Sequence, residues 1–176
     1  MSLRCDECGS YDVKREHVYG LLIEECGLCG HLQGDPGAVV QVEEIREAEG
    51  FGVAPELIGL MNALEAATGL AVDRSLSTAA GHTAAPAIYF TLARQPLELL
   101  DRLARSLLMA SRRTSTLWIL EVVHQQRLCF VLRPRVPGDL RSLTVDLALL
   151  RDALRRDQRL DWWQIADESR RGKGVG

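Results

Sequence analysis

The sequence predicts an α+β protein in two parts: an N-terminal module of about 34 residues organised by four cysteines, then a β-α-β-β-α-β domain with an extra helix in front. Three observations carry this expectation. Two CxxC pairs open the chain, at Cys5/Cys8 and Cys26/Cys29. Leucines recur at helical spacing within residues 57–64, 99–110 and 143–154. Runs rich in β-forming residues begin at Ala87, Thr116 and Arg127. The expected boundaries are 1–34 for the module, 35–53 for a connector, 54–168 for the α+β domain and 169–176 for a basic tail.

In the module, seventeen residues separate the two cysteine pairs, Cys5-Asp6-Glu7-Cys8-Gly9 and Cys26-Gly27-Leu28-Cys29-Gly30. A CxxC turn supplies two thiolates from one tight bend, and two such turns complete a tetrahedron. Gly9 and Gly30 follow the second cysteine of each pair, where such a turn requires positive φ. Between the pairs, residues 11–19 and 21–25 read as two short strands flanking Gly20. Two cysteine knuckles on a hairpin resemble the zinc-ribbon (rubredoxin-like) family, over residues 1–34. The resemblance implies one structural zinc per chain, held by Cys5, Cys8, Cys26 and Cys29. Iron binds the same four-thiolate set, but apolar-poor knuckles on a short hairpin favour zinc. His17 and His31 lie near the site yet are redundant as ligands. Four sulfurs leave no open position, so the metal is expected to be structural, and so short a module is expected to depend on it for order.

Gly34-Asp35-Pro36-Gly37 reads as a sharp break, and Val39–Glu49 as a short strand or an acidic helix. Pro55 opens a helix in which Leu57, Leu60, Met61 and Leu64 share a face, and Gly69 is placed to stop it. Residues 70–85 have no steady period and end in small residues. Ala87–Leu92 is an expected strand. Pro96 starts a helix with Leu99, Leu100, Leu103, Leu107 and Ala110 on one side. Residues 116–124 and 127–133 form an expected hairpin across Gln125-Gln126. A third helix carries Leu143, Leu147, Leu150 and Leu154, and Trp162–Ile165 is an expected last strand. From Ala87 onward this order is the ferredoxin-like arrangement, with both helices expected on one face of a four-stranded antiparallel sheet.

Composition narrows the class. Hydrophobic content of 47% excludes a disordered or collagen-like chain, and five cysteines are too few for a disulfide-knotted scaffold. No run of about 18 uncharged apolar residues is present, so no membrane span is expected. The first residues have no apolar stretch of a secretory signal, so the cytoplasm is the expected compartment. The net charge of −3 hides a split: residues 1–73 carry −10 and residues 74–176 carry +7. Such a split suits a basic surface for an anionic partner, or two halves that attract each other within a chain or across a homodimer.

Outside the cysteines, three groups are candidates. Ser77-Thr78-Ala79-Ala80-Gly81-His82 reads as a small-residue loop before a strand, where His82 could meet a ligand. The block 69–90 resembles the Ser-Ser-Cys-Ser-Gly-Arg loop of the tRNA wybutosine-synthesis methyltransferase family, with Ala79 at the cysteine's place and His82 at the arginine's. That resemblance implies an RNA-associated role, with no activity carried over at the two changed positions. Arg151, Arg155 and Arg159 recur every four residues and would line one helix face as an anion-binding stripe. Cys129, alternating with Val131, reads as a packed thiol, and Glu121 as a mid-strand carboxylate facing Phe130 across the hairpin. No convergent set of acid, base and nucleophile is legible, so the reading leans away from an enzyme. Residues 1–34 hold six acids against three bases, which disfavours a grip on nucleic acid. A binding or adaptor protein with a zinc ribbon that contacts protein is therefore expected first, and an RNA-associated protein using the arginine helices and His82 second.

Overall fold

Tyr19 and Gly20 turn the chain back on itself between β1 (Val13–Val18) and β2 (Leu21–Cys26), and both have positive φ (52° and 78°). That is the twist a two-residue hairpin turn requires, and glycine supplies it at little strain. The computed structural model describes residues 3–83, 85–91, 97–125 and 127–157, in two units that divide at Gly50 and Phe51.

In the first unit, β3 (Leu32–Gly34) adds to the hairpin to give an antiparallel sheet of order β1-β2-β3. Helix α1 (Pro36–Phe51) covers the sheet face that carries Leu21 and Ile23. Val42 is fully buried with Ile23 and Leu32, flanked by Val18, Leu21, Ala38 and Val39. From the same helix, Arg46 reaches Glu25 on β2 with an N–O distance of 2.7 Å. The expected connector at 35–53 is therefore mostly helix. Gly34–Gly37 begins it: the Asp35 carboxylate accepts from the Ala38 N–H at 2.8 Å, and Pro36 fits a first turn that needs no N–H. Gly50 does not end it, whereas Gly52, with φ of 67°, follows its last residue. This helix gives the module an apolar core that 34 residues alone were not expected to provide.

The second unit runs α2 (Pro55–Thr68), β4 (Ala71–Asp73), α3 (Arg74–Gly81), β5 (Ile88–Thr91), α4 (Leu97–Ser111), β6 (Trp118–Gln125), β7 (Arg127–Pro134) and α5 (Leu140–Asp157). Its four strands form an antiparallel sheet of order β4-β5-β7-β6. Ile88, Phe90, Phe130, Leu132 and Trp118 share one buried face, with the Phe90 and Phe130 rings stacked at 5.8 Å. Leu103 and Leu107 of α4 and Leu143, Leu147, Leu150 and Leu154 of α5 are all buried, as their spacing predicts. In α2, Leu57, Ile58, Leu60, Met61, Ala63 and Leu64 are all at most 2% exposed, so this helix is buried over most of its circumference. Gly69 ends it in the left-handed region, donating its N–H to the Glu65 carbonyl at 2.7 Å.

Three local expectations differ. The strand beside β5 is β4, which precedes it. The expected last strand, Trp162–Ile165, lies outside the described residues, as do Arg159 and the tail 169–176. The hairpin register is one residue away from that expected: Gln125 pairs with Arg127 and Glu121 faces Val131. Glu121 finds its base on the diagonal, where Arg133 donates to it twice, at 2.7 and 3.0 Å. Both side chains are about 40% exposed, so the pair adds little stability.

A further difference is α3, a short helix where a loop was expected. Asp73 caps it by accepting from the Leu76 N–H at 3.0 Å. The Ser77 hydroxyl donates to the Asp73 carbonyl at 2.7 Å and accepts the Tyr89 N–H at 2.9 Å, which fastens the helix to β5. Its small residues allow close packing against the start of α2. A Cβ at Gly81 would stand 2.5 Å from Leu57 Cδ2 and 3.1 Å from Val53 Cγ1. Gly81→Ala is expected to destabilise the chain by about 1–3 kcal/mol through overpacking, with an unchanged denaturant slope in urea unfolding. A variant as stable as wild type would show that Leu57 moves aside freely.

Candidate metal centre

The two cysteine knuckles have the same backbone. In the first, the Cys5 N–H donates to the Ser10 carbonyl at 2.8 Å and the Gly9 N–H to the Cys5 carbonyl at 2.9 Å. In the second, the Cys26 N–H donates to the His31 carbonyl at 3.0 Å and the Gly30 N–H to the Cys26 carbonyl at 2.8 Å. Gly9 and Gly30 have φ of 74° and 72°, so the positive φ expected after each pair is present. The knuckles are tied together: the Gly27 N–H donates to the Asp12 carbonyl at 2.7 Å, and a Cβ at Gly27 would collide with the Asp12 carboxylate.

This scaffold brings the four sulfurs of Cys5, Cys8, Cys26 and Cys29 within 4.8 Å of one another. Cys5 and Cys29 Sγ are 3.7 Å apart, and Cys8 and Cys26 Sγ 3.6 Å. A disulfide needs about 2.05 Å. A tetrahedron with metal–sulfur bonds of about 2.3 Å has edges of about 3.8 Å, so the spacing suits four ligands around one ion. Cys5 and Cys26 are buried, whereas Cys8 and Cys29 are exposed. Each knuckle thus contributes one inner and one outer thiol.

Electrostatics separates the thiols in the same way. The Cys29 backbone N–H holds Cys26 down to about 7, and Cys5 is lowered chiefly by the Cys8 N–H. At Cys29 the His31 N–H favours the thiolate, but hydrogen bonding with the other sulfurs, Cys8 foremost, and burial push it up to about 12. Cys8 is also raised: the Ser10 N–H and Cys29 favour its thiolate, but burial and its bonds to Cys26 and Cys5 prevail. Two sulfurs ionise readily and two resist the accumulating charge. A dication would remove that conflict, so four cysteines converging this closely could hold a metal ion.

A polar clasp not foreseen from the sequence braces the centre. The Gln33 side chain accepts from the Asp6 N–H at 3.1 Å and donates to the Arg4 carbonyl at 3.1 Å and to Glu24 at 3.2 Å. Glu24 in turn accepts from Arg15 directly across the hairpin, and these donors hold its carboxyl below the usual range. One amide thus links β3, β2 and the first knuckle. A lone Gln in a short strand carries no sequence signal of that role.

The other expected site residues are dispersed. His82 is exposed at the end of α3, with Cε1 3.5 Å from where a Gly52 Cβ would stand. Among the described residues the four cysteines are the one group able to hold a metal, so neither His82 nor His17 nor His31 joins one. Arg151 is half-buried and paired with Asp152 at 3.0 Å, and Arg155 lines a surface cavity of about 370 Å³ with Arg113 and Arg156. Arg159, expected on the same helix face, lies outside the described residues. Cys129 is buried and its thiol points at the Phe90 carbonyl, 3.5 Å away, which is a packing role.

No family model, no curated protein and no solved structure matches this chain.

Proposed function

We propose that this chain is a zinc-binding adaptor protein whose N-terminal unit uses one structural zinc, held by Cys5, Cys8, Cys26 and Cys29, to present a surface to a protein partner. The four-sulfur cluster on two equivalent knuckles is the observation that carries this reading. Four thiolates fill a tetrahedral ion, so the metal's work is to fix the backbone. What it fixes includes large apolar side chains in water: Leu28, between the cysteines of the second knuckle, is 73% exposed, and Tyr11, beside Asp12, is 67% exposed. Rigid exposed apolar groups on an acidic module favour contact with protein over nucleic acid.

The sheet of the second unit supports a ferredoxin-like reading in which β4 fills the edge position of the motif's last strand. Reduced thiols are the state that binds metal, which agrees with a cytoplasmic setting. Among the described residues no helix is long and apolar enough to cross a membrane.

The test has two arms. Elemental analysis of purified protein is expected to give one zinc per chain; iron or no metal overturns the zinc assignment. Crosslinking in nuclease-treated extract is expected to yield a discrete complex that Leu28→Asp abolishes while zinc content stays at one. A complex indifferent to Leu28→Asp and to zinc removal overturns the adaptor role.

A further inference from the structure

Helix α5 has two working faces. Leu143, Leu147, Leu150 and Leu154 bury one of them. The other borders two surface cavities, of about 370 and 400 Å³, both of which include Arg113 from the turn after α4. Arg141 stands in the cavity at the start of the helix, and Arg155 and Arg156 in the one at its end. From Arg141 to Arg155 the helix rises about 21 Å. The two cavities thus form one groove with four arginines along it: one at the start, one at the middle and two at the end.

The acids in this groove are already engaged. Asp146 is 1% exposed and accepts three hydrogen bonds, from the Ser115 N–H, the Ser115 hydroxyl and the Trp118 indole N–H, at 2.7, 2.8 and 3.2 Å. Asp152 is paired with Arg151 at 3.0 Å. By contrast, Arg113 and Arg141 make no ion pair among the described residues, although both are exposed. The turn that carries Arg113 is ordered in advance: its N–H donates to the Ala110 carbonyl at 2.9 Å, and Ser115, two residues on, is held by Asp146. A backbone fixed before the ligand arrives leaves only the side chain to be ordered on binding.

We propose that this groove is a binding site for the phosphodiester backbone of RNA, gripped without reading sequence. Guanidinium groups donate in pairs to phosphate oxygens, and a row of them about 21 Å long matches a linear polyanion better than a single phosphate or a flat charged surface. No aromatic residue lines either cavity, so the groove has no platform for stacking bases. The proposal concerns the second unit and does not depend on the metal centre.

The test is fluorescence anisotropy of the full-length protein with a labelled 20-nucleotide single-stranded RNA of mixed sequence. With four phosphates neutralised, affinity is expected to fall about 50-fold between 50 and 200 mM salt. Arg113→Gln combined with Arg141→Gln removes two contacts. Affinity at 50 mM salt is then expected to drop at least about tenfold, and the salt-dependent loss to shrink to about 7-fold. Arg105→Gln on α4 removes the same charge outside the groove, where Arg105 pairs with Asp101 at 2.8 Å, and is expected to leave binding unchanged. Circular dichroism of each variant checks that it is folded. No binding at 50 mM salt, or binding that Arg105→Gln weakens as much as the double variant, overturns the proposal. Binding to vesicles containing anionic lipid without binding to RNA also overturns it, in favour of a membrane surface.

Discussion

Cys26→Ser is expected to leave the purified chain without bound metal and to strip residues 3–50 of slow-exchanging amides, while residues 55–157 keep theirs. Cys26 is the inner cysteine of the second knuckle: it is 1% exposed, and its Sγ lies 3.6 Å from that of Cys8. Its carbonyl also accepts the Gly30 N–H that shapes the turn. A hydroxyl there is a poor ligand, and three thiolates no longer close the tetrahedron. Structural zinc supplies about 10–16 kcal/mol of apparent folding energy in small domains, whereas the buried cluster of Ile23, Leu32 and Val42 is too small to replace it. The second unit has its own core around α2 and β5, so the loss is expected to stop near residue 50. Hydrogen exchange read by mass spectrometry, together with metal content, decides the matter. A variant retaining one metal and wild-type protection would show that Cys26 is not a ligand.

The pH dependence follows from the same four thiols. Metal binds thiolates, so each proton returned to a sulfur opposes it, and occupancy is expected to fall as pH falls. Cys8 and Cys29 hold their protons most tightly, Cys29 up to about 12, so binding near neutral pH is expected to release protons from both. Titrating zinc into metal-free protein in weak buffer reads that release directly. Proton release that stays at zero from pH 6 to 9 would contradict ligation by all four cysteines.

The four-cysteine cluster was legible because its signal is chemical and local: a CxxC turn, a glycine after it and a second copy seventeen residues on leave few other structures to form. The helices α2, α4 and α5 were legible for a related reason, since a leucine stripe every three or four residues is set by burial along one face. What escaped depends on partners distant in sequence. Helix α1 packs through Val39 and Val42 on Ile23 and Leu32, yet its own residues are acidic and bracketed by glycines. The serines and alanines of α3 resemble a loop until Leu57 and Val53 are seen against Gly81. The register of β6 and β7 is set by the strand interiors, and it moved Glu121 from Phe130 to Val131. The basic groove joins Arg155 on α5 to Arg113, 42 residues earlier in the turn after α4, and it is the packing of α4 against α5 that brings the two together.

Asp146→Ala is expected to destabilise the chain by about 3 kcal/mol and to weaken binding in the groove, although it removes a negative charge from the groove's lining. The carboxylate sits on α5 and takes all three of its hydrogen bonds from Ser115 and Trp118, across 28 and 31 residues of sequence. Removing it strands the buried Trp118 indole N–H and releases Ser115, which lies at the surface, and a buried donor left unpaired costs about 1–3 kcal/mol. Asp146→Asn retains one good acceptor but turns an NH₂ toward the other donors, so a smaller loss of about 1–2 kcal/mol is expected. Urea unfolding with an unchanged slope measures both. Losses under about 0.5 kcal/mol for the alanine variant would mean that these bonds do not hold the turn. Because Ser115 fixes the turn that carries Arg113, the alanine variant is also expected to bind the labelled RNA less tightly than wild type while keeping the full salt dependence. That combination separates positioning from charge: deleting an arginine flattens the salt slope, whereas loosening its support lowers affinity at every salt concentration alike.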